Sequence, residues 1–327
     1  MTASPLGLDV SKLKFNACLV RQGGKLRHKV FANNAEGFAQ LSDWLKQQAV
    51  TQVHACLEAT GTYGDSLATY LHAQAHLVSI VNPAAIKAYA QSHLSRTKTD
   101  RVDAALIAGF CAERKPPAWH PPAPEVQELQ ALVRRLESLT EMPTAEENRL
   151  SSGLSVKSVR ESVEVLLAHL SAQIKKTEAL IRDHIESHPK LKRQRELLDS
   201  IPGIGETTAA VLLAEVADFS QYGSARQVAA TAFLVPRERQ SGSSVRGRPR
   251  LSKIGNARLR KALYFPAITA LRCSAFFQSW AEGLRQRGKS KMSVIGAAMR
   301  KLIHLAYGVL KTGQPFDPEW TRKEKTA

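Results

Sequence analysis

Residues 6–20 read Leu-Gly-Leu-Asp-Val-Ser-Lys-Leu-Lys-Phe-Asn-Ala-Cys-Leu-Val. Two short apolar runs flank a polar turn that contains lysine, which is the pattern of a β-hairpin. One acidic residue, Asp9, lies inside the first run, where a carboxylate is unfavourable unless a cation satisfies it. This stretch therefore predicts the first two strands of a sheet and the first candidate functional residue.

The segments after residue 20 predict an α/β domain. Apolar residues recur at helical spacing in some segments and alternate in others, so helices and strands follow one another. The predicted elements are a strand at 28–32, a helix at 35–48, a strand at 53–58, a helix at 66–73, a strand at 77–81, and helices at 83–91 and 99–113. Three antiparallel strands followed by alternating helices and strands is the order found in ribonuclease-H-like domains.

A proline-rich segment at 115–124, Lys-Pro-Pro-Ala-Trp-His-Pro-Pro-Ala-Pro, predicts a stiff linker. It separates the α/β domain (1–114) from an α-helical region (125–190), which a C-terminal, mainly helical domain (191–327) follows. In the helical region, apolar residues three and four apart predict two long helices, and we expect Pro143 to end or kink the first. The spacing in the second helix suits a coiled coil with another subunit and an antiparallel hairpin on its own domain equally well.

The charge of the chain is high and unevenly distributed. Among 327 residues, 46 Lys and Arg oppose 29 Asp and Glu, a net charge of +17. Residues 1–120 carry +5, residues 121–200 carry −1 and residues 201–327 carry +13. Such a charge predicts a polyanionic partner, nucleic acid rather than a membrane surface.

Other composition signals exclude several protein classes. No run of eighteen apolar residues is present, so no membrane span is expected. The N-terminal residues lack the basic and apolar regions of a secretory signal. The four cysteines have no metal-site spacing, which favours reduced thiols in a cytoplasmic protein.

Four acidic residues of the first domain form a candidate metal site. Asp9 lies in a strand, Glu58 ends an apolar strand, and Asp100 and Asp103 are three apart, so that a helix places both on one face. Converging carboxylates are hard oxygen ligands suited to Mg²⁺ or Mn²⁺. In the alternative interpretation, Asp9 and Glu58 only end their strands and Asp100 pairs with a basic neighbour in residues 98–101.

Two features of the C-terminal domain are candidate nucleic-acid contacts. Gly203 and Gly205, in Ile-Pro-Gly-Ile-Gly-Glu-Thr-Thr-Ala at 201–209, suit a helix-hairpin-helix turn that binds a phosphate through backbone N–H groups, or an ordinary turn between packed helices. The stretch 237–261 is expected to be a loop, and it contains nine basic residues and one acid. From this domain we select as phosphate contacts Arg237, Arg239, Arg246, Arg248, Arg250, Lys253, Arg258 and Arg260.

A serine cluster lies among these cations. Residues 241–244 read Ser-Gly-Ser-Ser, and a serine beside arginines and a divalent metal has what phosphoryl transfer needs: a nucleophile and neutralisation of the phosphate charge. A flexible linker within a nucleic-acid-binding loop explains the same residues. Physical chemistry alone does not separate Ser241 from Ser243 and Ser244.

Taken together, these motifs resemble the insertion-sequence-110 family of DEDD transposases, which are also described as bridge-RNA-guided recombinases. The resemblance covers about residues 6–316, with the motifs in family order: Leu-Asp at 8–9, Glu-Ala-Thr-Gly-Thr at 58–62, Asn-Pro at 82–83, Lys-Thr-Asp-Arg-Val-Asp-Ala at 98–104, Ser-Ile-Pro-Gly-Ile-Gly at 200–205 and Ser-Gly-Ser-Ser-Val-Arg-Gly at 241–247.

The resemblance implies a RuvC-like ribonuclease-H fold, a coiled-coil region and a transposase domain. It implies that Asp9, Glu58, Asp100 and Asp103 bind the metal and that Ser241 forms a covalent link to DNA. It also implies dimers or tetramers assembled with a non-coding bridge RNA that specifies donor and target DNA, in a bacterial cytoplasm and near the nucleoid when active. Pro143 and the Ser-Gly loop at 151–155 depart from an uninterrupted coiled coil.

Three functions follow as hypotheses. The first is a site-specific DNA recombinase that acts through Ser241. The second is a structure-selective nuclease of the same fold, in which a metal-activated water cuts DNA without a covalent intermediate. The third is a non-catalytic architectural protein that uses only the glycine hairpin and the basic loop.

Overall fold

The computed structural model describes residues 3–59, 61–94, 99–153, 156–241, 245–251 and 255–319, with the backbone alone for 237–241 and 245–250. The chain divides into two compact units, Met1–Pro121 and Pro122–Ala327. The division falls within the proline-rich segment 115–124.

The first unit is built on a five-stranded mixed sheet. Its order is β3-β2-β1-β4-β5, with β1, β2 and β3 antiparallel and β4 and β5 parallel to β1. The strands are β1 (Ser4–Val10), β2 (Lys14–Val20), β3 (Leu26–Ala32), β4 (Val53–Glu58) and β5 (Leu77–Val81), and the helices are α1 (Ala35–Gln47), α2 (Asp65–Ala73), α3 (Pro83–Ser92) and α4 (Asp100–Arg114). The predicted order of strands and helices in this part of the chain is confirmed.

The two faces of this sheet bury different residues because side chains alternate along a strand. Leu6 and Leu8 of β1 point into an apolar core that contains Phe15, Phe38 and Trp44 and that α1 covers. The residue between them, Gly7, lies on the opposite face, against α4. Asp9 shares the parity of Gly7 and therefore belongs to the face that α4 covers.

The second unit contains eight helices and a two-stranded hairpin among its described residues. They are α5 (Pro124–Ser151), α6 (Lys157–Ser187), α7 (Pro189–Asp199), α8 (Glu206–Val216), α9 (Ala225–Thr231), β6 (Pro236–Ser241), β7 (Val245–Leu251), α10 (Ala257–Cys273), α11 (Ala275–Gln286) and α12 (Lys291–Thr312). One apolar core runs from Val126 of α5 to Val309 of α12, so the core does not divide near residue 190.

Three local expectations differ from the structure. Pro143 lies inside α5 without ending it, since α5 as a whole packs along α6 and a helix tolerates one missing backbone hydrogen bond. The stretch expected to be a loop forms β6 and β7. Apolar spacing predicts two helices near 257–271 and 290–310, and the structure has a further helix between them, α11. Of the cysteines, Cys18, Cys56 and Cys111 are buried and Cys273 is exposed.

One helix of the described part, α12, is long and apolar enough to cross a membrane by length and composition. More than half of it is buried within the second unit, where Leu302, Ile303 and Ala306 are fully covered. These are properties of a core helix.

Candidate functional site

Two of the four predicted carboxylates lie side by side where β1 and β4 end. Leu8 of β1 pairs with Leu57 of β4 in parallel register. Asp9 and Glu58, the next residue on each strand, are therefore neighbours at the carboxyl edge of the sheet. Asp9 is only partly buried, so its carboxylate remains accessible.

The other two carboxylates come from the first turn of α4. A Cβ atom added to Gly7 would overlap the backbone oxygen of Ala104 and the backbone nitrogen of Ala108, so α4 crosses β1 with the two backbones touching. Two residues beyond Gly7, Asp9 then faces the N-terminal turn of this helix, where Asp100 and Asp103 lie. The structure thus brings all four predicted acids to one edge of the first unit.

The electrostatics of Asp9 reflect this crowding. Burial, and then the negative charges of Asp100, Asp103 and Glu58, raise the pKa of Asp9 from its ordinary 3.8 to about 6, against a lowering by Lys14. Like charges that repel in this way are relieved by a cation placed between them. The positive end of the α4 dipole also points at this cluster, because Asp100 and Asp103 lie in its first turn.

Sequence reasoning missed two residues of the site, both on β2. The Lys14 ammonium lies 3.3 Å from a carboxylate oxygen of Asp100, and the Asn16 amide donates to the same oxygen at 3.4 Å. Lys14 is therefore a partner of Asp100 that the alternative interpretation did not include, and Lys98 lies outside the described residues. The predicted hairpin could have identified Asn16 from the sequence, because antiparallel pairing of β1 with β2 places Asn16 directly across from Asp9.

The donor set fits a divalent cation. Within the described ranges, no three His, Cys, Asp or Glu side chains already stand close enough together to hold a metal ion. Four carboxylates at one edge are nevertheless the hard oxygen donors that Mg²⁺ and Mn²⁺ take, and the raised pKa of Asp9 records charge that a cation would neutralise. Asp9, Glu58, Asp100 and Asp103 would hold such an ion.

The glycine turn between α7 and α8 has a structural as well as a possible binding role. Gly203 has φ of +91°, and a Cβ there would meet the Pro266 backbone oxygen and lie 3.0 Å from the Ala270 Cβ of α10. The turn therefore requires glycine for packing. Gly205 is exposed, with nothing within 4 Å of an added Cβ, and it precedes the first turn of α8.

Two predicted phosphate contacts interact with other side chains of the second unit. The guanidinium of Arg258 lies 2.7 Å from Glu137 of α5 and 3.9 Å from the buried Glu215 of α8. The guanidinium of Arg260 lies 4.8 Å from the centre of the Phe233 ring. Both therefore contribute to packing of the second unit, which sequence reasoning did not foresee because their partners are far away along the chain.

The remaining predicted contacts lie on or beside the hairpin. Ser241 ends β6 and pairs with Val245 of β7. Arg237 and Arg239 belong to β6, and Arg246, Arg248 and Arg250 belong to β7. Lys253 lies outside the described residues.

Comparison with known proteins finds two matches to family models. Residues 6–157 match a model described as "Transposase", and residues 195–281 match "Transposase IS116/IS110/IS902 family". The pilin gene-inverting proteins of Moraxella bovis and Moraxella lacunata are each 35% identical over 320 residues, which span 97% of this chain and 98% of theirs.

Two further matches are more distant. The transposase for insertion sequence element IS1111A of Coxiella burnetii (strain RSA 493 / Nine Mile phase I) is 27% identical over 82% of this chain and 78% of its own. The structure of Thermus thermophilus RuvC aligns with 34% of this chain and 95% of its own, at 13% identity and a TM-score of 0.26. That similarity is too low to support a fold assignment.

Proposed function

Because this chain belongs to the IS116/IS110/IS902 family of transposases, we propose that it is a recombinase that cuts and rejoins DNA at a metal-assisted carboxylate site and through a covalent serine–DNA intermediate. The observation that carries the metal site is the meeting of Asp9 and Glu58 with the first turn of α4. We assign the first unit a RuvC-like, ribonuclease-H-like fold on its strand order.

Rejoining favours a covalent intermediate over hydrolysis. Two relatives that align over almost the whole chain are named for inverting a gene, and an inverted segment must be religated at both ends. Hydrolysis by water discards the energy of the phosphodiester bond, whereas attack by a serine hydroxyl preserves it as a phosphoserine diester. A DNA hydroxyl then attacks that diester, restores the phosphodiester and releases the serine.

We propose a role for each of these residues. A divalent cation held by Asp9, Glu58, Asp100 and Asp103 would neutralise charge on the phosphate oxygens. The Ser241 Oγ attacks phosphorus, its proton passes to water, and a P–O bond to the DNA breaks with release of a DNA hydroxyl. The cations of 237–253 hold the nucleic-acid backbones.

Sequence choice would come from a non-coding bridge RNA paired with donor and target DNA. The chain shows no motif that reads bases, whereas its charge suits backbones of either nucleic acid. We propose that dimers, and tetramers with nucleic acid, form through the helical pair α5 and α6. Exposed apolar side chains of α6 support this, namely Val159, Val165, Leu166 and Leu180.

The covalent step is tested with the purified full chain, Mg²⁺, RNA transcribed from the non-coding DNA beside the gene, and DNA carrying both recombination sites. We expect a protein–DNA adduct on denaturing gels and rejoined products, both lost in Ser241→Ala. Ser243→Ala and Ser244→Ala are the matched controls and should retain both. An adduct that persists in Ser241→Ala would refute this nucleophile.

The same reactions separate the competing functions. Nicked products without an adduct, lost in Asp9→Asn and unaffected by Ser241→Ala, would indicate a hydrolytic nuclease. An Asp9→Asn variant with every activity intact would indicate an architectural protein. If the choice of DNA sites is the same without RNA, the proposed role of a guide RNA is refuted. If light scattering gives the mass of a monomer both with and without nucleic acid, the proposed oligomer is refuted.

A further inference from the structure

A small apolar cavity lies in the second unit between α10 and α12, at the end of β7. Its volume is about 360 Å³. Two large side chains at this cavity are unusually exposed, Phe265 by 73% and Met292 by 61%. The residues that line the cavity are Leu251, Ala257, Arg260, Lys261, Tyr264, Phe265, Met292, Ile295, Gly296 and Met299.

The position of the cavity links it to the basic hairpin. Leu251 is the last residue of β7, and a Cβ added to Gly296 of α12 would lie 3.4 Å from its Cδ1 atom. The six residues before Leu251 are Val-Arg-Gly-Arg-Pro-Arg. A strand whose phosphates are bound by those arginines would therefore pass the cavity.

The charge around the cavity favours a polyanion over a protein. Two of its lining residues are cationic and none is acidic. Residues 283–316, which include all of α12, contain seven Lys and Arg and no Asp or Glu. The Lys261 ammonium lies 2.6 Å from a carboxylate oxygen of Glu141. The attraction for a polyanion therefore comes mainly from the surrounding cations, and the cavity itself supplies an apolar surface.

The shape and chemistry of the surface fit a flat aromatic ring. The ring of Tyr264 packs edge-on to that of Phe265, with centroids 5.4 Å apart, which leaves the exposed ring of Phe265 supported from one side. The cavity volume is at the small end of the range for ligand sites. Proteins that bind single strands combine a basic track with exposed aromatic rings on which bases stack.

We propose that Phe265, supported by Tyr264 and Met292, stacks against an unpaired base of a DNA strand whose phosphates are bound by the basic hairpin. This site rests on the proposed function, since strand exchange exposes unpaired DNA. Bases within a duplex are stacked on one another and cannot reach the cavity, so the site discriminates single strands from duplexes.

The test compares full-length wild type with Phe265→Ala, Phe265→Leu and Phe265→Trp. Leucine retains the apolar contact and removes the ring, whereas tryptophan retains stacking. Leu26→Ala is the matched control, because Leu26 is 47% exposed on β3 of the first unit, outside this cavity. Affinities for a single-stranded DNA oligomer and for the same sequence as a duplex are measured by fluorescence anisotropy at several salt concentrations.

We expect Phe265→Ala and Phe265→Leu to weaken single-strand binding by roughly tenfold and to leave duplex binding unchanged. The dependence on salt should not change, because no phosphate contact is removed. Phe265→Trp should bind like wild type, with its tryptophan fluorescence quenched by single-stranded DNA. Leu26→Ala should change neither affinity.

Four results would overturn the site. The first is that Phe265→Leu keeps full affinity for single-stranded DNA, and the second is that the variants lose as much affinity for duplex DNA as for single strands. The third is that only the affinity for an RNA strand of the same sequence falls, and the fourth is that the Phe265 variants form smaller protein assemblies than wild type. The last would identify the cavity as a contact between copies of the chain. Wild type that binds neither form of DNA would instead refute the proposed function.

Discussion

The close packing of α4 on Gly7 predicts that Gly7→Ala disables the site by moving two of its carboxylates. The new methyl group would overlap the backbone oxygen of Ala104 and the backbone nitrogen of Ala108, and would lie 2.9 Å from the α-carbon of Ala108. Ordinary van der Waals separations of a Cβ begin at 3.4 Å. The α-carbon of Ala108 must therefore retreat by roughly half an ångström, and the two overlapping backbone atoms by about 1 Å.

The obstructing atoms are backbone, so rotation of a side chain cannot relieve the clash and the whole of α4 must move. Overpacking of this kind destabilises a protein by about 1–3 kcal/mol. A displacement of about 1 Å between groups that act together lowers a rate by roughly a hundredfold. We expect both effects in Gly7→Ala, because Asp100 and Asp103 move with the helix relative to Asp9.

Two variants of the first unit serve as controls. A Cβ at Gly37 would overlap the Ala32 backbone oxygen between α1 and β3, so Gly37→Ala destabilises the same unit without moving α4. A Cβ at Gly64 would lie 3.5 Å from Leu57, an ordinary separation, so Gly64→Ala should be neutral. Stability is measured by urea unfolding with hydrogen exchange, and DNA cleavage under conditions in which all variants are folded.

Gly7→Ala should lose far more DNA-cleavage activity than Gly37→Ala, although the two variants lose a comparable amount of stability. If the two variants lose cleavage equally, the effect is one of stability and α4 does not position the acids. If Gly7→Ala matches wild type in both measurements, α4 does not pack on β1 as described.

Three further predictions concern charge. In EDTA, stability should fall as pH rises from about 4 to 6 and then level off, because the folded chain holds a proton on Asp9 that the unfolded chain releases. Mg²⁺ should raise the melting temperature at pH 7. Asp9→Asn should weaken both dependences, and thermal melts of this variant that do not differ from those of wild type would contradict the crowding of acids. Lys14→Ala breaks an ion pair whose two members are more than half exposed, so it should cost less than about 1 kcal/mol in urea unfolding; a larger loss would show that Lys14 has a packing role. Arg258→Ala should destabilise the second unit by less than about 1 kcal/mol, because Arg258 is half exposed and the buried Glu215 keeps Arg134 at 3.5 Å and Asn256 at 2.6 Å. The salt dependence of DNA binding should not change in this variant, whereas Arg246→Ala should lower the salt slope by about one; the reverse result would make Arg258 the phosphate contact.

Much of the first unit could be predicted because its signals are local. The alternation of β1 and β2, the apolar stripe of α1 and the buried run of β4 each specify an element from residues close together in the chain. The acids were identifiable for a similar reason, since a carboxylate in an apolar strand needs an explanation from its surroundings.

The sequence was least informative where distant contacts decide the outcome. Helix α5 continues through Pro143 and packs along α6, although a proline alone predicts that a helix ends or kinks. The nine cations of 237–261 looked alike in sequence, yet Glu137 and Phe233, from other helices and loops, engage Arg258 and Arg260 inside the second unit. The sequence does not show which group a charged side chain pairs with, because that partner is chosen by the fold.

The sequence by itself determined the order of strands and helices in the first unit, a polyanionic class of partner and the choice of four acids as a candidate site, because periodicity, net charge and misplaced carboxylates are properties of neighbouring residues. Only the tertiary structure decided that these acids lie at one edge of the first unit, through one glycine that admits α4 to β1, and that Lys14 and Asn16 contact Asp100 there. The physical reason is that electrostatic interaction depends on distance in space, and the distance from residue 9 to residue 100 exists only in the folded chain.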